Sequence, residues 1–266
     1  MAKNNKHWKS MMANESDRSA AQEGIDPLEE GLQGLSWLEN SRRIVQRTIK
    51  KTRETFGEEV GNSITSGVLA IYLLFMMPYA AIHSYISAPE GKAQTYGMAF
   101  SAFFIFAFLA SLFTTIYHSM KHGTAQKRVF KKLDNIMVYY SILGTYAPIC
   151  FCVLPLKLGI GIFIAETAIA LMGTLFVAIA SVNNTAIVKF SKVLYFVMGI
   201  IGVFTLKTIS QNMSKPSFWL LISGVILYVV GTFFYSGKKF KFSHMVWHFC
   251  ALFATVCHVL AFVYFM

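Results

Sequence analysis

Polar and apolar positions divide this chain into two regimes. Up to about residue 60, charged and apolar side chains intermix without long runs. Beyond that point the sequence falls into seven apolar runs, at roughly 64–86, 93–117, 135–156, 158–180, 190–210, 216–237 and 242–266. Each approaches or exceeds the ~20 residues a helix needs to cross a bilayer. Five contain no Asp, Glu, Lys or Arg. The fourth holds Glu166, and the fifth carries Lys192 and Lys207 near its ends, where long side chains can reach the interface. No segment alternates as barrel strands do, so helices must satisfy the backbone. The pattern predicts an all-α membrane protein: seven transmembrane helices over 61–266 and a polar, cytoplasmic tail over 1–60.

The tail itself divides. Residues 1–27 are polar and mixed in charge, a composition that favours disorder. Their opening, "MAKNNKHWKSMMANESDRSA", lacks the apolar core of a signal peptide. Over 28–60, Val45, Ile49, Phe56 and Val60 keep helical spacing beside Arg42, Arg43, Arg47, Lys50, Lys51 and Arg53. An amphipathic helix on the anionic inner leaflet would use both features. A solvated linker helix fits the same residues.

Composition supports the membrane reading. The chain is 55% hydrophobic and only 14% charged, against about 25% charged in an average soluble protein. Ten of the 13 acids lie in residues 1–60, which hold ten Lys and Arg. The rest carries 14 basic side chains and three acids (Glu90, Asp134 and Glu166), which account for the net charge of +11. Such an excess invites a nucleic-acid partner, but it sits in short loops between apolar runs and therefore speaks for orientation. With the tail inside and seven alternating spans, the inside loops at 121–132, 189–192 and 238–241 hold ten Lys and Arg. The outside loops hold four: Lys92, Lys157, Lys207 and Lys215. The bias predicts a cytoplasmic N-terminus and an outside C-terminus in a multi-pass protein of the cell membrane. The expected partners are membrane lipids, with the anionic inner leaflet meeting the basic tail and loops, and no nucleic acid. Oligomeric state is left open. Cys150, Cys152, Cys250 and Cys257 all fall inside apolar runs, form no C-x-x-C, and read as small buried hydrophobes.

That topology places the unusual polar residues in depth. His118 ends the second run, Asp134 begins the third, and His244 and His248 begin the seventh, all at the cytoplasmic side. His244 and His248 stand one helical turn apart on one face. Three neutral imidazoles make a three-ligand zinc site with an open fourth position, and polar groups at membrane depth mark functional sites. Asp134 is the expected carboxylate at that depth, placed to offset the metal's charge or to hold water. Thr114, one turn before His118, would present its hydroxyl to the same site. Plainer readings exist. The His-x-x-x-His pair can be an interhelical hydrogen-bond pair, His118 a helix-end residue meeting headgroups, and Asp134 a helix cap. The expected non-ligands are His7, His83, His122 and His258. Glu166 is expected either as a paired structural carboxylate or as part of a polar path from the outer face.

These residues resemble a known family. "TTIYHS" (114–119), "LDNIMVYYSILGTYAP" (133–148) and "HMVWHFC" (244–250) look like the three signature regions of the hemolysin III group. That group belongs to the progestin-and-adipoQ receptor superfamily, related to alkaline ceramidases. "GEEVGNSITSG" (57–67) resembles the family's approach to its first span, and the likeness covers about residues 57–266 in order. It implies one zinc per chain, bound by His118, His244 and His248 with Asp134 nearby, and the same orientation. Two departures stand out. Thr114 replaces the family's usual serine, and Ser66-Gly67 stands where the family often has His-Gly.

Two function classes compete. The first is a zinc-dependent intramembrane hydrolase of a lipid amide or ester, of the ceramidase-like kind, with Asp134 and Thr114 as its catalytic groups. The second is a non-enzymatic sensor, regulator or receptor of the membrane. The resemblance to bacterial members implies a role in membrane fluidity homeostasis. The family's name adds a cytolytic pore, but a secreted pore former must exist in water before it inserts, and seven apolar spans cannot.

Overall fold

The structure, a computed structural model, describes Glu39 and residues 54–179, 185–237 and 241–266. The expected disordered segment 1–27 lies outside the described residues. So does the expected amphipathic helix up to residue 53, Glu39 apart.

Helix α1 (Phe56–Ile86) starts well before the apolar run that marks it in the sequence. A capping box sets that start. Thr55 accepts from Glu58 N at 3.3 Å, and Glu58 Oε2 accepts from Thr55 N at 2.7 Å. Glu58 and Glu59 in the first turn also complement the positive end of the helix dipole. Ile64, Val68, Ile71, Phe75 and Ile82 are all exposed at helical spacing, which gives α1 an apolar outer stripe suited to lipid.

Helix α2 (Ala93–Ser119) returns and carries His118 in its last turn. Helix α3 (Ala125–Pro148) begins at Thr124, whose hydroxyl accepts from Lys127 N at 3.2 Å. Pro148 has no N–H to donate to the preceding turn. The chain continues as a π-turn over Ile149–Val153, closed by Leu154 N donating five residues back to Ile149 O at 3.0 Å. Helix α4 (Leu156–Ile179) presses Gly159 against the Cys150 carbonyl so closely that no side chain fits there.

The fifth apolar run departs from a straight span. It is built as α5 (Thr185–Val203) and α6 (Leu206–Asn212), bent by 53°. The cause lies at the joint. Thr205 donates both its N–H and its hydroxyl to Gly202 O, at 3.1 and 2.8 Å, and so occupies that carbonyl with a tight turn. Helices α7 (Lys215–Gly237) and α8 (Ser243–Tyr264) complete the bundle. Among the described residues, six helices are long and apolar enough to cross a bilayer alone, and the bent pair passes the same test only when its two parts are taken together, as a broken span or a re-entrant loop. The chain is an all-α, multi-pass membrane protein.

Packing brings the last described helix back to the first. Consecutive helices pack from α1 to α5, α7 packs on α8, and α8 returns to α1. The main core lies where α1, α2 and α8 meet. Leu73, Phe103, Phe104, Val259 and Phe262 are buried there, with the Phe103 ring edge-on to Phe104 at 5.2 Å and to Phe262 at 5.1 Å. A smaller cluster of Tyr139, Leu143, Ala170, Leu194 and Met198 joins α3, α4 and α5. All four cysteines are unbridged, as small apolar side chains inside spans would be.

Candidate metal centre

Two helix ends bring three imidazoles together. His118 is in the last turn of α2, and His244 and His248 are in the first two turns of α8. Because α8 packs back on α1, which pairs with α2, these turns share one end of the bundle. Ring centroids lie 5.0 Å apart for His118 and His244, 5.1 Å for His118 and His248, and 4.7 Å for His244 and His248. One ring nitrogen of each lies within 4.8 Å of the others. His118 and His248 are buried, and His244 is half-buried with Tyr235 packed at 4.9 Å.

The donor set fits a metal ion. His248 Nε2 is buried and makes no hydrogen bond, an expensive state for a polar atom with no other use. Its opposite nitrogen, Nδ1, shares a 3.3 Å hydrogen bond with Ser66 Oγ of α1. His118 Nδ1 likewise faces α1 and donates to Glu59 Oε2 at 2.8 Å. Both rings therefore spend Nδ1 on the first helix and keep Nε2 as the ligand-capable atom. This is the usual arrangement around a bound zinc, where the second nitrogen of each histidine is tied to a carboxylate, hydroxyl or carbonyl.

Asp134 lies near the start of α3, and its Oδ1 accepts a hydrogen bond from Thr114 Oγ1. Thr114 Oγ1 is also 2.9 Å from Ala110 O of its own helix. The contact couples Asp134 to α2 one turn before His118. Both Asp134 and Thr114 are half-buried.

Sequence reasoning missed a carboxylate that touches a histidine. Asp134 is the acid that apolar patterning expects at this depth, and a second acid, Glu59, meets His118. Glu59 was obscured because it falls among the charges that precede the first apolar run, in a stretch that reads as tail. Its helical distance from Ser66, seven residues, puts both on one face of α1, and that spacing was the available signal. Ser66 was visible only as a departure from the family pattern.

Glu59 Oε1 makes further contacts, with Lys127 Nζ at 2.8 Å and His122 Nε2 at 2.6 Å. Glu58 reaches the helix that carries His244 and His248. Its Oε1 accepts from the N–H of Phe242, the residue before α8, at 2.8 Å. Phe242 has φ of 65°, left-handed backbone that a bulky side chain rarely adopts. Two other described histidines lie away from the cluster. His258 is buried deeper along α8, with Nε2 3.3 Å from Leu221 O, and His83 packs on Tyr79 near the other end of α1. Glu166 is fully buried in mid α4, and neither of its carboxylate oxygens makes a hydrogen bond.

The likeness to known proteins covers this whole framework. The family described as haemolysin-III related matches residues 55–259. The chain is 33% identical to Hemolysin-3 of Bacillus cereus over 203 residues, 76% of this chain and 89% of that protein. It is 34% identical to a Hemolysin-3 homolog of Bacillus subtilis (strain 168) over 196 residues, 73% of this chain and 87% of that one. The match spans α1 through most of α8, and the chain belongs to the haemolysin-III-related family.

Proposed function

We propose that this protein holds one zinc ion through His118, His244 and His248 at the inner face of the cell membrane and uses it to tune membrane lipid state by hydrolysing a lipid amide or ester. The observation that carries the reading is the convergence of three imidazoles from two helices, with a buried Nε2 on His248 that meets no protein partner. Three neutral nitrogen donors are a zinc set with room for a further ligand. When bound, the ion would supply a Lewis acid and bring the pKa of a water ligand toward ~7.

The chain's own groups supply proton handling. Asp134 takes a proton from the attacking water and returns one to the leaving amine or alcohol. Thr114 holds the Asp134 carboxylate in place through its hydrogen bond and keeps it beside α2. The N-in, C-out orientation follows from the loop charges and puts the histidine end of the bundle in the cytoplasmic leaflet, where the basic loops meet anionic lipid.

The test begins with elemental analysis of detergent-purified protein. One zinc per chain, lost on replacing all three histidines, supports the site. Hydrolysis of a ceramide-type lipid panel that disappears in Asp134→Ala while metal stays bound supports the enzyme. Metal binding with no turnover on that panel supports a non-enzymatic sensor or receptor instead. A folded His248→Ala protein that loses metal but keeps its full physiological effect overturns both.

A further inference from the structure

The first helix makes contact with the histidine cluster through Glu59, a residue outside the three-imidazole set. Glu59 is a buried carboxylate in the first turn of α1, with two oxygens that do different work. Oε2 faces His118 Nδ1. Oε1 takes the Lys127 ammonium and lies against His122. Lys127 is itself buried, donates to Met120 O at 3.1 Å, and lies 4.8 Å over the Tyr117 ring. The turn between α2 and α3 is thus folded down onto one oxygen, while the other meets the histidine.

Stability alone does not account for this arrangement. A buried Glu–Lys pair loses in desolvation much of what it gains in attraction, so it is weak as a fold stabiliser. Its value is in what it fixes. A carboxylate paired with an ammonium is an acceptor only. The proton between Glu59 Oε2 and His118 must therefore sit on Nδ1, and the neutral ring then carries its lone pair on Nε2. A neutral imidazole has two tautomers, and only this one can bind a metal through Nε2.

We propose that Glu59 is a positioning residue for the metal centre: it sets the tautomer and ring direction of His118 and, through Lys127, closes the α2–α3 turn beside it. The inference rests on the reading that the three histidines hold a metal.

The experiment measures zinc affinity by chelator competition on the purified full chain, with the visible spectrum of the cobalt(II)-loaded protein as a second readout of ligand geometry. The variants are Glu59→Gln, Glu59→Asp and Lys127→Met. Glutamine keeps the shape but offers both donor and acceptor, so it no longer dictates where the His118 proton sits. Glu59→Gln should weaken zinc binding by roughly 10–100-fold, the usual cost of losing such an outer partner, and should change the cobalt spectrum. Glu59→Asp keeps the charge on a shorter arm and should fall between Glu59→Gln and wild type. Lys127→Met cuts the loop tie but leaves a carboxylate facing His118, and should lose clearly less affinity than Glu59→Gln. Wild-type affinity and spectrum in Glu59→Gln would overturn the inference and leave the metal site standing. So would a loss in Lys127→Met equal to that in Glu59→Gln, since the effect would then belong to loop docking. A wild-type chain that binds no metal would overturn the site itself and this inference with it.

Discussion

Replacing His248 by leucine should reverse an order of stability. His248 is 8% exposed and its Nε2 has no hydrogen-bond partner in the protein. An unsatisfied buried polar atom costs about 1–3 kcal/mol. Leucine has similar bulk and no such atom. The substitution also removes the contact with Ser66, which at 3.3 Å is a long hydrogen bond, and such bonds are worth about 0.5–1.5 kcal/mol net. The difference leaves the metal-free variant about 1 kcal/mol more stable than metal-free wild type. Zinc changes the sign. At a free concentration about a hundred times its dissociation constant, a ligand adds about 2.7 kcal/mol to the state that binds it. The variant keeps two of three ligands and gains little. Wild type should then lead by about 1–2 kcal/mol. Equilibrium unfolding in mixed micelles, with and without a chelator, reads both values, and Trp247 beside the substituted position provides a fluorescence signal. A metal-free wild type more stable than the variant by more than the Ser66 bond is worth would refute the argument. Equal stabilisation of both proteins by zinc would also refute it.

Other outcomes follow from the same geometry. Asp134→Asn keeps the shape and the Thr114 contact but cannot take a proton, so lipid hydrolysis should fall by roughly 10²–10⁴-fold while zinc content stays at wild-type level; atomic absorption alongside a lipid-release assay checks both. Gly159→Ala would push a methyl into the Cys150 carbonyl, and should destabilise the bundle by about 1–3 kcal/mol in the same unfolding assay. Tyr146→Phe removes a buried phenol that donates to Met198 O at 2.7 Å, and should cost about 0.5–1.5 kcal/mol without altering zinc affinity.

How much of this was legible from residues alone depends on the physical signal each feature leaves. The spans are written in hydropathy, and the histidine pair at 244 and 248 is written in helical period. His118 joins them only through a count of crossings, which the apolar runs allow. The bend between α5 and α6 leaves no such mark. Its cause is local, a threonine hydroxyl competing for the Gly202 carbonyl, and composition over 190–210 is as apolar as a straight span requires. Glu59 is hidden for the opposite reason. It is charged and precedes the apolar run, so patterning assigns it to water. The capping box at Thr55 and Glu58 carries α1 further toward the N-terminus than hydropathy marks, and takes Glu59 with it. The π-turn after Pro148 falls between these cases: the proline announces an irregularity, but not its form.

The return of the last helix to the first has a consequence for how the protein is made. His118 leaves the ribosome long before His244 and His248, and Glu59 earlier still. Until α8 has inserted, a nascent chain can present one imidazole and its carboxylate, but not the pair that completes the set. A polypeptide cut short before residue 243 would lack two of the three imidazoles, however well its earlier helices had settled. On the proposed site, metal loading would report that synthesis has reached the last helix.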